Sequence, residues 1–246
     1  MEQNEKWMEE YNKYKSILRK PSDFNAYFSE KQFAGVKLDQ ITIGTVNLPT
    51  GEIVVCDPLT GLCDETTPLY QKVPKGEYDV EVCVVKAHNE DCDRYAAIRI
   101  KFNDEKAVKY KDALTGEEEF TDIEEGDYFG FDVSSGLACV CDASAREHFC
   151  KQEKEWYDKH PDGAFYEDYL AELFEDNYNL HPKYQRESGD WLNLKLENTE
   201  HQIPMFQSGF GDGGYPAYWG YDSNNKIVEL VVQFIEIESA YEDEKE

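Results

Sequence analysis

Apolar residues recur at every second position in several segments of this chain, and this alternation constrains its fold more than any other feature. In YDVEVCVV, residues 78–85, and YAAIRIKF, residues 95–102, most apolar side chains fall on one face, whereas Arg99 and Lys101 point away. Successive side chains of a β-strand point to opposite faces, so both segments are predicted to be half-buried strands. The strongest strand prediction is IVELVVQFIEI, residues 227–237, paired with 216–220 across the turn YDSNNK.

Shorter strand candidates complete a β-rich core. They are residues 41–46, 53–56, 128–133 and 137–141. The last two are separated by SSG, a combination typical of tight turns, and a β-hairpin is therefore predicted between them.

The N-terminus instead has the spacing of an amphipathic helix, predicted over 3–19 and ended by Pro21. The apolar residues of its buried face are Trp7, Tyr11, Tyr14 and Leu18. The same spacing predicts a helical insert over 143–178, broken into two helices near Pro161. At its start, Ser144 and Glu147 form an S-x-x-E pattern that predicts a capping box.

The order of elements is helix, strands, two helices, strands. This order predicts an α+β fold with a mainly antiparallel β-sheet or sandwich, carrying an N-terminal helix and a two-helix insert. No repeat or break in composition divides the 246 residues, so one domain, 1–246, is expected. Its parts are the helix 3–19, the β-rich core 40–142 and 190–238, the insert 143–178 and an acidic tail 238–246.

The charge balance bears on function. The chain has 25 basic and 52 acidic residues, a net charge of −27, which disfavours binding to nucleic acid and to anionic membranes and favours a basic protein partner. Residues 111–130 contain eight acidic side chains and a single basic one, Lys111. The N-terminus shows no signal-peptide pattern and no apolar run reaches membrane-spanning length, so a cytoplasmic location is predicted.

The stretch SGFGDGGYPAYWG, residues 208–220, invites a phosphate-binding interpretation. A phosphate cradle needs a helix directly after the glycines, and here Pro216 and aromatic residues favour strand and turn. A calcium loop would need alternating acidic ligands, which do not follow Asp212 or Asp222. The stretch is therefore predicted to be a rigid aromatic hairpin.

The cysteines suggest a second possible site. Cys139 and Cys141 fall on one face of a predicted strand, and His148 and Cys150 follow closely. Their spacing does not match zinc knuckles, so buried free thiols are favoured over a zinc ion. No metal ligand, cofactor or catalytic residue is predicted, since no nucleophile with an evident base is found.

Four stretches together resemble a bacterial family known as domain of unknown function 4241. They are GEIVVCDPL (Gly51–Leu59), VPKGEYDVEV (Val73–Val82), YFGFDVSSGLACVCD (Tyr128–Asp142) and SGFGDGGYPAYWGYD (Ser208–Asp222). The resemblance implies that the family's recurrent positions are Gly51, Asp57, Pro58, Pro74, Gly76, Tyr78, Gly130, Asp132, Gly136, Asp142, Gly211, Asp212, Gly213, Tyr215, Tyr218 and Gly220. It also implies a loose association with secreted bacterial toxins and immunity-type proteins. The chain departs from the family at Gln233, where members often have an acid before an aromatic residue.

The first functional hypothesis is an acidic intracellular immunity protein, or antitoxin, that neutralises a basic protein such as a secreted toxin by direct binding. Acidic residues would speed capture and rigid aromatic residues would hold the partner. The predicted partner-binding residues are Glu117, Glu118, Glu119, Asp122, Glu124, Glu125, Asp212, Tyr215, Tyr218 and Trp219.

The alternative is a metal-dependent enzyme or ligand-binding module. It would use aspartates that converge at strand ends, namely Asp57, Asp132, Asp142 and Asp212, although aspartate serves in turns and caps more often than as a ligand. A weaker third hypothesis is that the aromatic rings stack against a sugar.

Overall fold

The computed structural model describes residues 2–63, 66–86 and 93–241, and most of their regular structure is β-strand. The strands are β1 (Gln32–Phe33), β2 (Val36–Leu48), β3 (Ile53–Cys56), β4 (Gly76–Lys86), β5 (Arg94–Lys101), β6 (Lys109–Asp112), β7 (Phe131–Val133), β8 (Leu137–Asp142), β9 (Trp191–Lys195), β10 (Gln202–Gln207), β11 (Gly213–Tyr215), β12 (Ala217–Tyr221) and β13 (Ile227–Gln233). The helices are α1 (Glu2–Tyr14), α2 (Phe24–Ser29), α3 (Ala145–Lys159), α4 (Ala171–Leu180) and α5 (Ile237–Ala240), with a π-helical turn (Tyr166–Leu170) before α4.

The strands form three sheets in which every pairing is antiparallel. A seven-stranded sheet has the order β1-β2-β4-β5-β13-β12-β6, a four-stranded sheet has the order β3-β8-β10-β9, and β7 pairs with β11. The α+β prediction with a mainly antiparallel sheet is confirmed. None of the helices in the described ranges is both long and apolar enough to cross a bilayer.

The four-stranded sheet is the middle layer of the molecule. In β8, Ala138 and Val140 contribute to the core shared with the seven-stranded sheet, whereas Cys139 and Cys141 pack into a second core with Phe149 of α3. These four residues are all buried, because both faces of the sheet are covered. An apolar run without alternation is the sequence pattern expected of such a strand.

The two strongest local predictions agree with the structure. Strands β4 and β5 pair side by side, and β12 and β13 form the predicted hairpin, with Tyr218 opposite Val231. Strand β13 ends at Gln233, four residues before the predicted end, and α5 begins at Ile237.

The predicted hairpin around SSG is wrong. Strand β7 pairs with β11, whereas β8 pairs with β3 and β10 in a different sheet. The carboxylate of Asp57 accepts hydrogen bonds from the backbone N–H groups of Ser134 and Ser135, at 3.0 and 2.8 Å, and these bonds hold the connection in a wide turn. Gly136 completes the turn with a φ of +70°.

The outer face of the seven-stranded sheet is covered as well. Helix α2 packs there, and the Arg99 guanidinium lies 4.2 Å from the Phe28 ring centroid. The Arg99 side chain, predicted to point away from the core, is only 15% exposed and forms an ion pair with Glu81 at 2.7 Å. Glu229, which accepts a hydrogen bond from the Tyr110 hydroxyl, lies 3.9 Å from Arg99. The polar face of these strands is therefore an internal charge cluster.

The ends of the helices differ in detail from the predictions. Helix α1 stops at Tyr14, and the following turns lead to Arg19, whose backbone N–H donates to the Asp127 carbonyl at 2.8 Å. At the start of α3, the Ser144 hydroxyl donates to the Asp142 carboxylate instead of capping the helix, so the predicted capping box does not form. The predicted insert is otherwise present as α3, the π-turn and α4. Residues 242–246 of the predicted acidic tail lie outside the described residues.

Asp39 of β2 links the sheet to the chain after α4 and makes stability depend on pH. The Tyr184 hydroxyl donates to its carboxylate, and with the Gln40 N–H and the ammonium groups of Lys183 and Lys31 it holds the pKa of Asp39 far below its usual range. A depressed folded-state pKa stabilises the protein above the unfolded-state value, about 4, and that stability is lost as the pH falls below it.

We expect Asp39→Asn to destabilise the protein near neutral pH and to matter less at about pH 3, where the Asp39 carboxylate of the unfolded chain is protonated and the low folded-state pKa contributes less to stability. Urea unfolding curves at several pH values will measure the difference in free energy of unfolding between wild type and Asp39→Asn, which should narrow as the pH falls. Asp104→Asn is the matched control: Asp104 is exposed and forms no ion pair with any residue that the structure describes, so the change should leave stability nearly unchanged at every pH. A difference in free energy of unfolding that stays constant over the pH range would contradict the low pKa of Asp39 in the folded protein.

Candidate functional site

The acidic loop, defined as residues 115–130, is an ordered segment anchored on α1. The Phe120 ring packs between the rings of Trp7, Tyr14 and Phe129, with centroid distances of 5.6, 5.8 and 5.3 Å. The Trp7 indole N–H donates to the Glu118 carbonyl at 3.2 Å. Aromatic packing of this kind fixes the loop backbone, so its acidic side chains project from a defined support.

Two of the predicted partner-binding acids already accept hydrogen bonds from other groups of the protein. The Glu118 carboxylate accepts hydrogen bonds from the backbone N–H groups of Thr115 and Gly116, at 2.6 and 2.9 Å. Glu117, although exposed, accepts a hydrogen bond from the Thr67 hydroxyl at 2.6 Å. Glu118 therefore shapes the loop, and a partner would meet its carboxylate only in part.

The remaining four predicted partner-binding acids of the loop face solvent. They are Glu119, Asp122, Glu124 and Glu125. Among the residues that the structure describes, none of the four forms an ion pair with a lysine or arginine. Four unpaired like charges on one short loop produce a concentrated negative field, which is the electrostatic requirement for capturing a basic partner.

The glycine-rich turn, residues 208–214, lies beside this loop. Strand β11 places Gly214 opposite Asp132 of β7, and the Tyr128 hydroxyl donates to the Gly214 carbonyl at 3.0 Å. Asp132 and Asp212 are both exposed. The pairing thus adds two carboxylates to the four of the loop, and we call these six residues together with Phe210 the acidic face.

Tyr215 holds the glycine-rich turn in shape and is not an exposed anchor. Its side chain is only 7% exposed, and its hydroxyl lies 2.9 Å from the Ser208 carbonyl oxygen and 2.5 Å from that of Gly211. Gly211 has a φ of +109°, a backbone conformation that residues other than glycine rarely adopt. The turn therefore leads from β10 in the four-stranded sheet to β11 in the two-stranded one, and Pro216 then connects β11 to β12 of the large sheet. The predicted aromatic hairpin is instead a corner between sheets.

Tyr218 and Trp219 belong to the core, and the structure does not place them on the surface as the partner-binding prediction requires. Both have zero exposure. The Trp219 indole N–H donates to the Gln71 side-chain oxygen at 2.8 Å, and the Tyr218 ring packs against Phe24 of α2. Strand β12 is covered on both faces, so neither ring is available to a partner or to a sugar in this arrangement.

Phe210 is the exposed aromatic residue that the sequence prediction missed. It lies in the glycine-rich turn between Gly209 and Gly211, and 65% of its surface is exposed. Asp212 is two residues away and is also exposed. An exposed aromatic ring beside unpaired carboxylates combines the apolar centre and charged rim found in protein interfaces. Its position between two glycines was the only signal in the sequence.

A cleft of about 280 Å³ lies between the acidic loop and the paired strands β7 and β11. Its walls include Glu117, Glu118 and Phe129 of the loop, Phe131 of β7 and Tyr215 of β11. A cleft lined by both carboxylates and aromatic rings matches the side chain of a lysine or arginine. The apolar stem of such a side chain can pack against the rings while its charged end pairs with a carboxylate.

The four aspartates of the metal-dependent alternative do not converge. Asp57 follows β3 at one end of the β3–β8 pair, whereas Asp142 lies opposite Ile53 at the other end, a separation of roughly 13 Å along the strands. Asp57 and Asp142 are both buried. The Asp57 carboxylate accepts hydrogen bonds from backbone N–H groups, and the Asp142 carboxylate accepts hydrogen bonds from Thr50 and Ser144. In the described part of the chain, no three His, Cys, Asp or Glu side chains are grouped so as to hold a metal ion.

The cysteines described by the structure are free thiols, and Cys92 lies outside the described residues. Cys139 and Cys141 are buried against the helical layer, and burial raises the pKa of both thiols well above the usual value. The Cys56 and Cys139 sulfur atoms are 3.7 Å apart on neighbouring strands. His148 lies near His201, with ring centroids 5.2 Å apart.

Comparison with known proteins identifies a family. The family model described as a protein of unknown function, DUF4241, matches residues 46–232, which is most of the chain. The chain belongs to the DUF4241 family. No curated protein and no solved structure matches it.

Several positions that the sequence resemblance predicts to be recurrent have structural roles here. A Cβ atom on Gly51 would lie 2.3 Å from the Val73 carbonyl oxygen, and its φ is +75°, so only glycine fits. The Tyr78 hydroxyl donates to the Pro74 carbonyl at 2.8 Å. At Gln233, where the sequence resemblance predicts a departure from the family, the side-chain amide donates to the Ser22 hydroxyl at 2.8 Å and helps to hold the segment before α2 against the sheet.

Proposed function

We propose that this chain is an acidic cytoplasmic binding protein of the immunity type, which neutralises a basic protein partner, such as a toxin, by covering it with the acidic face. The observation that carries the proposal is the set of six exposed carboxylates, Glu119, Asp122, Glu124, Glu125, Asp132 and Asp212, on two adjoining supports. None of these six carboxylates forms an ion pair with a residue that the structure describes.

The supports make this face suited to rapid and specific binding. The loop is fixed by Phe120, and the glycine-rich turn is fixed by Tyr215, so little ordering is required when a partner docks. Concentrated charge raises the rate of encounter, and an exposed ring such as Phe210 can be desolvated to slow dissociation. The net charge of −27 extends the attraction beyond the contact surface.

The test begins with capture of the partner from a lysate of the native host and its identification by mass spectrometry. Association rates are then measured by stopped-flow over a range of ionic strength. The face variant carries Glu119→Gln, Asp122→Asn, Glu124→Gln and Glu125→Gln. We expect its association rate at low salt to be at least about tenfold lower than that of wild type, with a weaker dependence on salt.

A matched control removes the same charge elsewhere. It carries Glu167→Gln, Glu172→Gln, Glu175→Gln and Asp176→Asn, all at exposed positions in the helical insert. We expect the control to associate at nearly the wild-type rate and Phe210→Ala to dissociate faster while associating normally. Equal rates for the two quadruple variants, or rates that do not respond to salt, would refute binding through the acidic face.

A further inference from the structure

The N-terminal segment encloses a cavity of about 520 Å³ against the edge of the seven-stranded sheet. Helix α1 and residues 15–21 form one wall, and β6 with the end of β12 forms the other. This volume falls within the range of about 300–1,000 Å³ that is typical of small-molecule sites. The cavity is separate from the cleft beneath the acidic loop, with which it shares only Leu114.

Aromatic rings line much of this cavity. The Trp7 and Tyr11 rings are stacked, with centroids 5.6 Å apart and planes 3° from parallel, and Tyr70 lies 6.3 Å from Trp7. Tyr110 and Tyr221 contribute from the sheet. Ring faces exposed in a cavity are suited to stacking against a planar ligand.

Cations gather around the same cavity. Its lining contains Lys15, Arg19, Lys20 and Lys111, and none of the four forms an ion pair with a residue that the structure describes. The one acidic residue in the lining, Asp112, accepts a hydrogen bond from the Tyr11 hydroxyl at 2.8 Å. In a chain with 52 acidic and 25 basic residues, four unpaired cations around one cavity are the reverse of the overall charge pattern.

Two of these cations, Lys111 and Lys15, are close enough to repel each other. Partial burial, followed by the charges of Lys109 and Lys15, lowers the pKa of the Lys111 ammonium. The Lys111 nitrogen lies 4.7 Å from the Tyr221 ring centroid, and the Arg19 guanidinium lies 3.8 Å from that of Tyr128. Ring faces stabilise these cations only modestly, whereas a bound anion would remove the repulsion.

We propose that this cavity binds a small anion that carries a planar ring, the chemical class of nucleoside phosphates. The aromatic wall would stack the ring, and the cations would neutralise the phosphate oxygens with charge-assisted hydrogen bonds. A nucleic-acid chain is disfavoured, because its many phosphates would extend into the field of a protein with a net charge of −27.

Isothermal titration calorimetry on the full chain tests the proposal with four compounds: ATP, AMP, adenosine and pyrophosphate. We expect saturable binding of ATP, and we expect adenosine and pyrophosphate to bind at least about tenfold more weakly, since each lacks either the charge or the ring. Lys111→Gln should weaken ATP binding about tenfold. The matched control, Lys154→Gln at an exposed position of α3, should bind ATP as the wild type does.

Each contrary result has a defined meaning. No saturable heat with either ATP or AMP would overturn the proposal, and so would pyrophosphate binding as tightly as ATP, since the rings would then contribute nothing. ATP binding that is unchanged in Lys111→Gln would place the ligand elsewhere and also overturn it. Melting curves will verify that the variants fold. These variants leave the acidic face untouched, so failure here is independent of the partner-binding proposal.

Discussion

Replacing Asp57 with alanine is expected to lower the free energy of unfolding by roughly 3 kcal/mol or more. The Asp57 side chain is 1% exposed, and its two carboxylate oxygens accept hydrogen bonds from four backbone N–H groups. These belong to Leu59, Thr60, Ser134 and Ser135, with the shortest bonds at 2.8 Å. Alanine would leave the donors without their acceptor and would release the turn that separates β7 from β8. Urea unfolding followed by tryptophan fluorescence will measure the loss.

The matched control for this change is Asp132→Ala. Asp132 is another position that the sequence resemblance predicts to be recurrent, but it is exposed on β7, and removal of its carboxylate is expected to change the free energy of unfolding by no more than about 0.5 kcal/mol. A metal-binding role for Asp57 makes a different prediction: divalent cations would raise the melting temperature of the wild type and not of Asp57→Ala. Equal stability of the two variants would contradict the structural role of Asp57.

The elements that could be predicted from sequence are those whose pattern is local. Strands β4 and β5 show a period of two, because their two faces meet different surroundings. The hairpin of β12 and β13 follows from the turn residues that precede Ile227. In contrast, the separation of β7 from β8 depends on hydrogen bonds between Asp57 and Ser134, which are 77 residues apart. No local pattern encodes a contact over that distance.

The candidate site was predicted in part, for a similar physical reason. A cluster of charges is visible in composition, and four of the acids named in the loop are exposed and unpaired. Burial of the aromatic residues was not visible, because it depends on which elements cover a strand. Phe24 of α2 packs against the Tyr218 ring on the outer face of the sheet, and at the glycine-rich turn Tyr215 is the buried ring whereas Phe210 is exposed.

The contact between Gly130 and Tyr215 joins the two supports of the acidic face. A Cβ atom on Gly130 would lie 2.5 Å from the carbonyl oxygen of Tyr215 and 2.6 Å from its carbonyl carbon. Both atoms belong to the backbone of β11, so rotation of a side chain cannot relieve the clash. Gly130 therefore permits the close approach of β7 and β11, on which the position of Asp212 beside the loop depends.

Gly130→Ala is accordingly expected to destabilise the protein by about 1–3 kcal/mol and to loosen the pairing of β7 with β11. Faster amide hydrogen exchange at Gly213 and Tyr215 will report the loosening, and urea unfolding will report the stability. The control is Gly214→Ala on the facing strand, where a Cβ atom would approach no described neighbour closer than 3.7 Å. It should retain wild-type exchange and stability. If Gly130→Ala exchanges no faster than Gly214→Ala, the close approach at Gly130 does not hold the two supports together.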